Sequence, residues 1–269
     1  MVKGRKIFVS YGNENYSESL ERLRKMAIAT GRFDEVIINR ETDLPEFILK
    51  HPLMQYSRGG GYWLWKPYVI LSVLKQCGPE DIVVYCDGGN EVFPDREWEK
   101  FFKLLRKHSA VFFKQVHRMA PWTRRNLLEY FSEIPFLEKE FQLMSGLSLW
   151  TKRALPIAEK WFNLMSEHPE FVRDVTPDEL PSEAPEFIEN RHDQSVLSCV
   201  VFKYLKEYNL RIMWEHSEVR DPWGQAVFFA RITNECKRNS LGISRFRYLL
   251  RHIHNRVRDW EFAVYKLMR

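Results

Sequence analysis

Residues 6–39 read KIFVSYGNENYSESLERLRKMAIATGRFDEVIIN. Ile7-Phe8-Val9 is a short apolar run closed by Ser10-Tyr11-Gly12, the pattern of a strand that ends in a turn. Between Ser17 and Thr30, Leu20, Leu23, Met26 and Ala27 recur at helical spacing, and Gly31 stops them. Glu35-Val-Ile-Ile-Asn39 is a second short strand. Strand, helix and strand within forty residues predict a parallel sheet with crossover helices.

The pattern continues outward from there. Asp81-Ile-Val-Val-Tyr-Cys-Asp87 is an apolar run between two acids, a strand buried on both faces. A helix from Tyr68 to Gln76 precedes it, with Pro67 in its first turn. Further helices are predicted over 97–108, 124–131, 152–167 and from Glu189 to Glu207, and strands over 110–115, 145–150 and 210–214. Residues 175–185 hold three prolines and read as a surface loop. The expected architecture is a single α/β domain over 1–230 followed by a basic helical extension over 231–269 packed on it.

Composition narrows the function classes. The chain has 269 residues with 45% hydrophobic and 29% charged, which is globular and excludes a disordered or fibrous chain. Aromatics reach 14% with nine Trp, a surplus that suits flat or ring-shaped ligands as well as core. The net charge of +5 is uneven. Residues 231–269 hold ten Lys/Arg against three Asp/Glu, so this end carries +7 and the body −2. A uniformly basic nucleic-acid surface is not present. Cys77, Cys86, Cys199 and Cys236 are scattered without zinc spacing, so reduced and mostly buried thiols in a cytoplasmic protein are expected. No apolar stretch of about 18 residues exists to span a bilayer.

Three constellations carry chemistry. Asp87 ends a strand and is followed by Gly88 and Gly89. Ligands bind beyond the carboxyl ends of strands in open parallel sheets, and hard cations take one or two carboxylates plus substrate phosphates. Spacing alone leaves cation ligand and cap evenly matched. Arg58-Gly-Gly-Gly-Tyr-Trp-Leu-Trp-Lys66 sets three glycines beside three aromatics and two cations. Its backbone amides can cradle an anion, Arg58 can clamp a phosphate, and Lys66 can neutralise it as a point charge. Arg191-His192-Asp193-Gln194-Ser195 opens an apolar helix, with Asp193 in the place of an N-cap.

Together, Phe8-Val-Ser-Tyr-Gly12, Gly59-Gly-Gly-Tyr-Trp-Leu-Trp-Lys-Pro67, Asp81-Ile-Val-Val-Tyr-Cys-Asp-Gly88 and Arg191-His-Asp-Gln-Ser-Val-Leu-Ser198 resemble a family of nucleotide-sugar glycosyltransferases. These have the GT-A fold, a Rossmann-like, mixed, mainly parallel sheet flanked by helices. They occur in bacterial capsule and lipopolysaccharide gene sets and in some large viruses. The resemblance covers residues 5–200 and leaves out the basic end. It implies a donor, often UDP-linked, with Mn²⁺ or Mg²⁺ on its diphosphate, and a glycan or glycolipid acceptor. Donor contacts would fall to Ser10, Tyr11, Arg58, Gly60, Tyr62, Trp65, Lys66, Asp87, Gly88, His192 and Gln194. Asp87 corresponds to the last acid of the family's DxD signature, and Tyr85 replaces the first. The ion would then need another ligand, His216, His252 or His254. Lys66 and the ion would stabilise the leaving diphosphate. Asp193 would be the general base of an inverting reaction or hold donor hydroxyls in a retaining one.

Two other readings compete. Another metal-dependent phosphate enzyme would explain Asp87 but ordinarily clusters more acids or histidines. A degenerate, non-catalytic nucleotide-sugar or carbohydrate-binding protein would explain Tyr85. At the basic end, Ile243, Phe246, Leu249, Leu250, Ile253 and Val257 form one helical stripe with five Arg on other faces. This stripe is expected to pack on the domain, the alternative being a peripheral membrane contact from the cytoplasmic side.

Overall fold

Strand β1, Lys6–Tyr11, is buried from its second residue onward because it lies inside a sheet and is covered on both faces. The structure, a computed structural model, describes residues 4–221, 223–234 and 245–267. β2 (Glu35–Asn39) and β3 (Ile82–Cys86) pair with β1 in parallel on its two sides, with Phe8 opposite Val36 and Val84. β7 (Leu147–Thr151) runs antiparallel to β3 and in turn to the first half of β5 (Ala110–Arg118). The second half of β5 pairs with β6 (Phe141–Leu143), and β8 (Arg211–Trp214) lies parallel on its other edge. Five of these seven strands share one direction and only β6 and β7 oppose it, so the sheet is mixed and mainly parallel. A separate ribbon joins β4 (Glu91–Val92) to β9 (Val227–Phe228).

Helices cover both faces. α1 (Ser17–Ala29) and α3 (Glu97–Leu105) close one side over Phe8, Val84, Cys86 and Trp98. α2 (Trp65–Gln76), α4 (Leu155–Glu167) and α5 (Asp193–Tyr204) close the other over Val9, Val83, Tyr85 and Trp161. Strand side chains alternate between faces, so Val83 and Tyr85 point toward α2 and α5, and Asp87 follows in the same phase. Parity thus fixes where the site forms.

The predicted elements are present with shifted ends. α2 starts at Trp65, ahead of Pro67, and a 3-10 turn separates β7 from α4. α5 starts at Asp193, so the N-cap is His192 rather than Asp193. Cys77, Cys86 and Cys199 are buried and unbridged, while Cys236 lies outside the described residues.

The last helix, α6 (Arg245–Leu267), overturns one expectation. Its apolar stripe does not pack on the domain: Leu249, Leu250, Ile253, Val257 and Trp260 keep 45% to 68% of their surface. Ile243 and the side chain of Phe246 lie outside the described residues, and Trp260 joins the exposed set beside the expected stripe. The packed face is largely polar, with Asn255 and Phe262 buried. Asp259 takes Lys114 and accepts from Trp214 Nε1, Arg251 pairs with buried Glu215, and Arg258 donates to the Val116 carbonyl. No described helix is long and apolar enough to cross a membrane.

Candidate functional site

Beyond the carboxyl ends of β1 and β3 lies a cleft of about 750 Å³, within the range that holds small ligands and cofactors. Its upper wall is the segment between Arg58 and Trp63. Gly59, Gly60, Gly61, Tyr62 and Trp63 all have positive φ, from 51° to 89°. The Tyr62 and Trp63 amides donate to the carbonyls of Arg58 and Gly59, four residues back. This is one turn of left-handed helix. Such a turn costs an L-residue roughly 1–2 kcal/mol and a glycine almost nothing, which explains three glycines in a row. Tyr62 and Trp63 carry the remaining strain. Gly59 and Gly61 also lack room: a Cβ would come within 2.4 Å of the Trp63 ring and of Met54 Sδ, respectively.

The turn delivers Trp65 and Lys66 into the cleft. Trp65 stacks on Tyr11 with ring centroids 3.9 Å apart, and its Nε1 donates to the Gly59 carbonyl. Burial pushes the Tyr11 hydroxyl well above its ordinary pKa, with Glu41 and Asp43 adding to it. The pair forms a flat aromatic wall at the end of β1.

Lys66 forms the floor. It is 1% exposed, and its Nζ lies 3.2 Å from Asp87 Oδ1, 3.1 Å from Asp193 Oδ2 and 3.1 Å from Ser145 Oγ. Burial alone would lower its pKa, but the charges of Asp193 and Asp87 outweigh that and hold it above the ordinary lysine value. Asp193 is buried as well, and burial pushes its carboxyl up while Lys66 and Ser145 oppose. Tyr85 OH donates to Asp87 Oδ1 at 2.7 Å. One cation between two carboxylates leaves the floor negative by one charge. Lys66 is therefore not the free point charge expected for it; it is the buried partner that spaces two acids. The cations left to face the cleft are guanidiniums: Arg58 beside Asp174 and Glu189, Arg191 over the Trp122 ring, and Arg231 paired with Glu218.

His192 is held at φ 54° and ψ −120°, a sparsely populated conformation for a residue with a Cβ. Its Nδ1 sits 2.7 Å from the Val172 carbonyl, which requires Nδ1 to carry the proton and donate. Nε2 is buried without a hydrogen-bond partner among the described residues. Burial lowers the pKa of this imidazole, against the opposing charge of Asp174, whose Oδ1 stands 3.7 Å from Nε2.

Of the residues expected at the site, Tyr11, Arg58, Gly60, Trp65, Lys66, Asp87, Gly88, His192, Asp193 and Gln194 line the cleft. Four do not. Ser10 is fully buried below the floor, and Tyr62 turns away so that its OH donates to Asp174. His216 packs against His252 outside the cleft, and His254 is exposed on α6. The imidazoles expected as a third metal ligand are thus not beside Asp87. Among the described residues no three His, Cys, Asp or Glu side chains converge as a metal centre. What the site offers a cation is one carboxylate edge. Lys66 and Tyr85 both take Oδ1, whereas Oδ2 lies over Gly146, where an added Cβ would come within 2.8 Å. Sequence reading missed Glu189, Glu218 and Arg231 in the lining. No local motif marks them; the fold brings them in from the stretch before α5, the segment between β8 and β9, and the segment after β9.

No family model matches the chain, and no curated protein matches it by sequence. Solved structures similar in outline include a glycosyltransferase involved in glycosylation of the major capsid of PBCV-1, at 11% identity and TM-score 0.43 over 79% of this chain and 83% of that one. An active-site mutant of LgtC is similar at 12% identity and TM-score 0.43, over 88% and 84% of the two chains. A 4-diphosphocytidyl-2C-methyl-D-erythritol synthase from Anaerococcus prevotii is similar at 16% identity and TM-score 0.42, over 81% and 92%.

Proposed function

We propose that the protein is a glycosyltransferase that moves a sugar from a nucleotide-sugar donor, a UDP-sugar first among the candidates, to a hydroxyl of a glycan or glycolipid. The observation that carries this reading is the buried Lys66 holding Asp87 and Asp193 apart at the floor of a cleft walled by Tyr11 and Trp65. The aromatic wall suits a base and ribose. The guanidiniums of Arg58, Arg191 and Arg231 suit a diphosphate. Two carboxylates on the floor suit sugar hydroxyls and a proton acceptor.

In the transfer, the bond from the anomeric carbon to the diphosphate oxygen breaks and its electron pair leaves with the phosphate. The acceptor oxygen bonds to that carbon, and its proton passes to the Asp193 carboxylate in an inverting reaction. A carboxyl raised by burial is a better proton acceptor at neutral pH than an ordinary aspartate. In a retaining reaction the same carboxylate would hold donor hydroxyls. Lys66 acts as a positioning residue in either case.

The donor set fits a cation that arrives with the diphosphate rather than a resident centre. Asp87 Oδ2 would hold Mn²⁺ or Mg²⁺, which would offset charge on the leaving group. Incubation with UDP-sugars alone tests the reading. Slow donor hydrolysis with UDP release, abolished in Asp87→Ala, is expected. Equal release by the variant would contradict it.

A further inference from the structure

The exposed stripe on α6 has no role in the proposed chemistry, yet its residues share one face. At 100° per residue, Leu249, Trp260, Ile253, Val257 and Leu250 fall within one 100° arc, and all are exposed. Asn255 and Phe262, the buried residues, fall on the opposite side. The helix thus turns its polar face to the protein and its apolar face outward, the reverse of an ordinary surface helix. The inversion is fixed by the contacts of Arg251 with Glu215, Asp259 with Lys114 and Trp214, Arg258 with the Val116 carbonyl, and Lys266 with Glu140. These run from Arg251 to Lys266, so the helix cannot roll to hide the stripe without breaking them.

We infer that α6 is a docking surface for an anionic lipid bilayer, lying in the plane of the membrane with this stripe among the acyl chains. Charge supports lipid as the occupant. Residues 245–267 hold six Lys/Arg against Asp259 and Glu261, a net of +4, with no acid between Arg245 and Arg258. Arg256 is exposed beside the stripe. A second copy of this chain would bring the same positive end against itself, whereas anionic headgroups neutralise it. Trp260, the most exposed of the five, has the amphipathic ring that favours the headgroup boundary. This inference concerns a surface away from the cleft and stands whether or not the cleft transfers sugars.

The test is co-sedimentation of the full chain with phosphatidylcholine vesicles, with and without phosphatidylserine. Binding is expected with phosphatidylserine, falling with added salt, and only weakly without it. Burying the remaining half of each apolar side chain is worth roughly three- to tenfold in partitioning, so Ile253→Glu/Trp260→Glu is expected to bind roughly ten- to a hundredfold more weakly. Both side chains are exposed, so the variant is expected to keep the wild-type thermal midpoint and helical circular dichroism. Vesicle binding unchanged in the variant would overturn the inference. So would a stable dimer without lipid that the same substitutions abolish, or RNA binding as tight as vesicle binding.

Discussion

Lys66 is the residue on which the cleft depends, and its burial makes the dependence measurable. Removing one partner of a buried ionic cluster leaves the others unpaired, which costs about 3–5 kcal/mol. Lys66→Met is therefore expected to lose stability of that order in urea denaturation. It should also lose donor hydrolysis, because Asp87 and Asp193 would no longer be held apart. The same cluster shows what a sequence reveals at this scale. Asp87 and Asp193 could be singled out because acids at a strand end and a helix start are local patterns. Tyr85 could only be read as a missing acid, although it shares strand parity with Asp87 and donates to it. Parity was the available signal; a tyrosine's choice of partner is set by the floor that α2 and α5 build. His192 gives a second expectation. Burial depresses its pKa below the ordinary 6.5, so the folded state needs it neutral. Its contribution is present above that pH and is lost as pH falls through the folded value. Acidification below about 6.5 should lower stability, and His192→Asn should flatten that slope in denaturation curves taken across the range.

At the scale of elements, the left-handed turn offers a sharper test than any strand. Gly60 and Gly61 both need positive φ, but a Cβ on Gly60 meets nothing nearer than 3.7 Å, while one on Gly61 meets Met54 Sδ at 2.4 Å. Gly60→Ala should cost about 1 kcal/mol from backbone strain alone, and Gly61→Ala clearly more, compared by thermal or urea unfolding. Three glycines announced a freely turning backbone; they did not announce that Tyr62 and Trp63 would continue the left-handed path. That continuation is enforced by the Trp65–Gly59 hydrogen bond and the Tyr11 stack, contacts across the fold with no local pattern. Gly146 supplies the matching expectation on the floor. It sits against Asp87 Oδ2, so Gly146→Ala should shift that carboxylate and reduce donor turnover more than it reduces stability. Helix α6 shows the limit of periodicity. The pattern placed Leu249, Leu250, Ile253 and Val257 on one face but could not say which face meets the protein, because the anchoring partners, Lys114, Trp214 and Glu215, come from β5 and the end of β8.

Across the whole molecule, a parallel β1–β2–β3 core opens a crevice at the carboxyl ends of its strands, and α2 and α5 bring a cation and an acid to it from one face. The parallel pairing of β1 and β2 followed from strand, helix, strand in the first forty residues; the meeting of α2 and α5 over the strand ends did not, because it depends on contacts between distant segments. A strand over 145–150 was legible but its antiparallel insertion as β7 between β3 and β5 was not, because strand order is set by contacts across the fold, and β6, three residues long, carries too little periodicity to stand out. The charge arithmetic also acquires a place: the basic end lends Arg231 to the cleft beside Arg58 and Arg191, and +4 of its surplus lies on a helix whose apolar side faces out. The central claim is that the cleft binds a sugar nucleotide, and calorimetric titration with UDP-, GDP- and CMP-sugars, with and without Mn²⁺, tests it most directly. Saturable binding of one of these donors, weakened at least about tenfold in Trp65→Ala, is the predicted result. No heat of binding from any of them, with or without the ion, would contradict it.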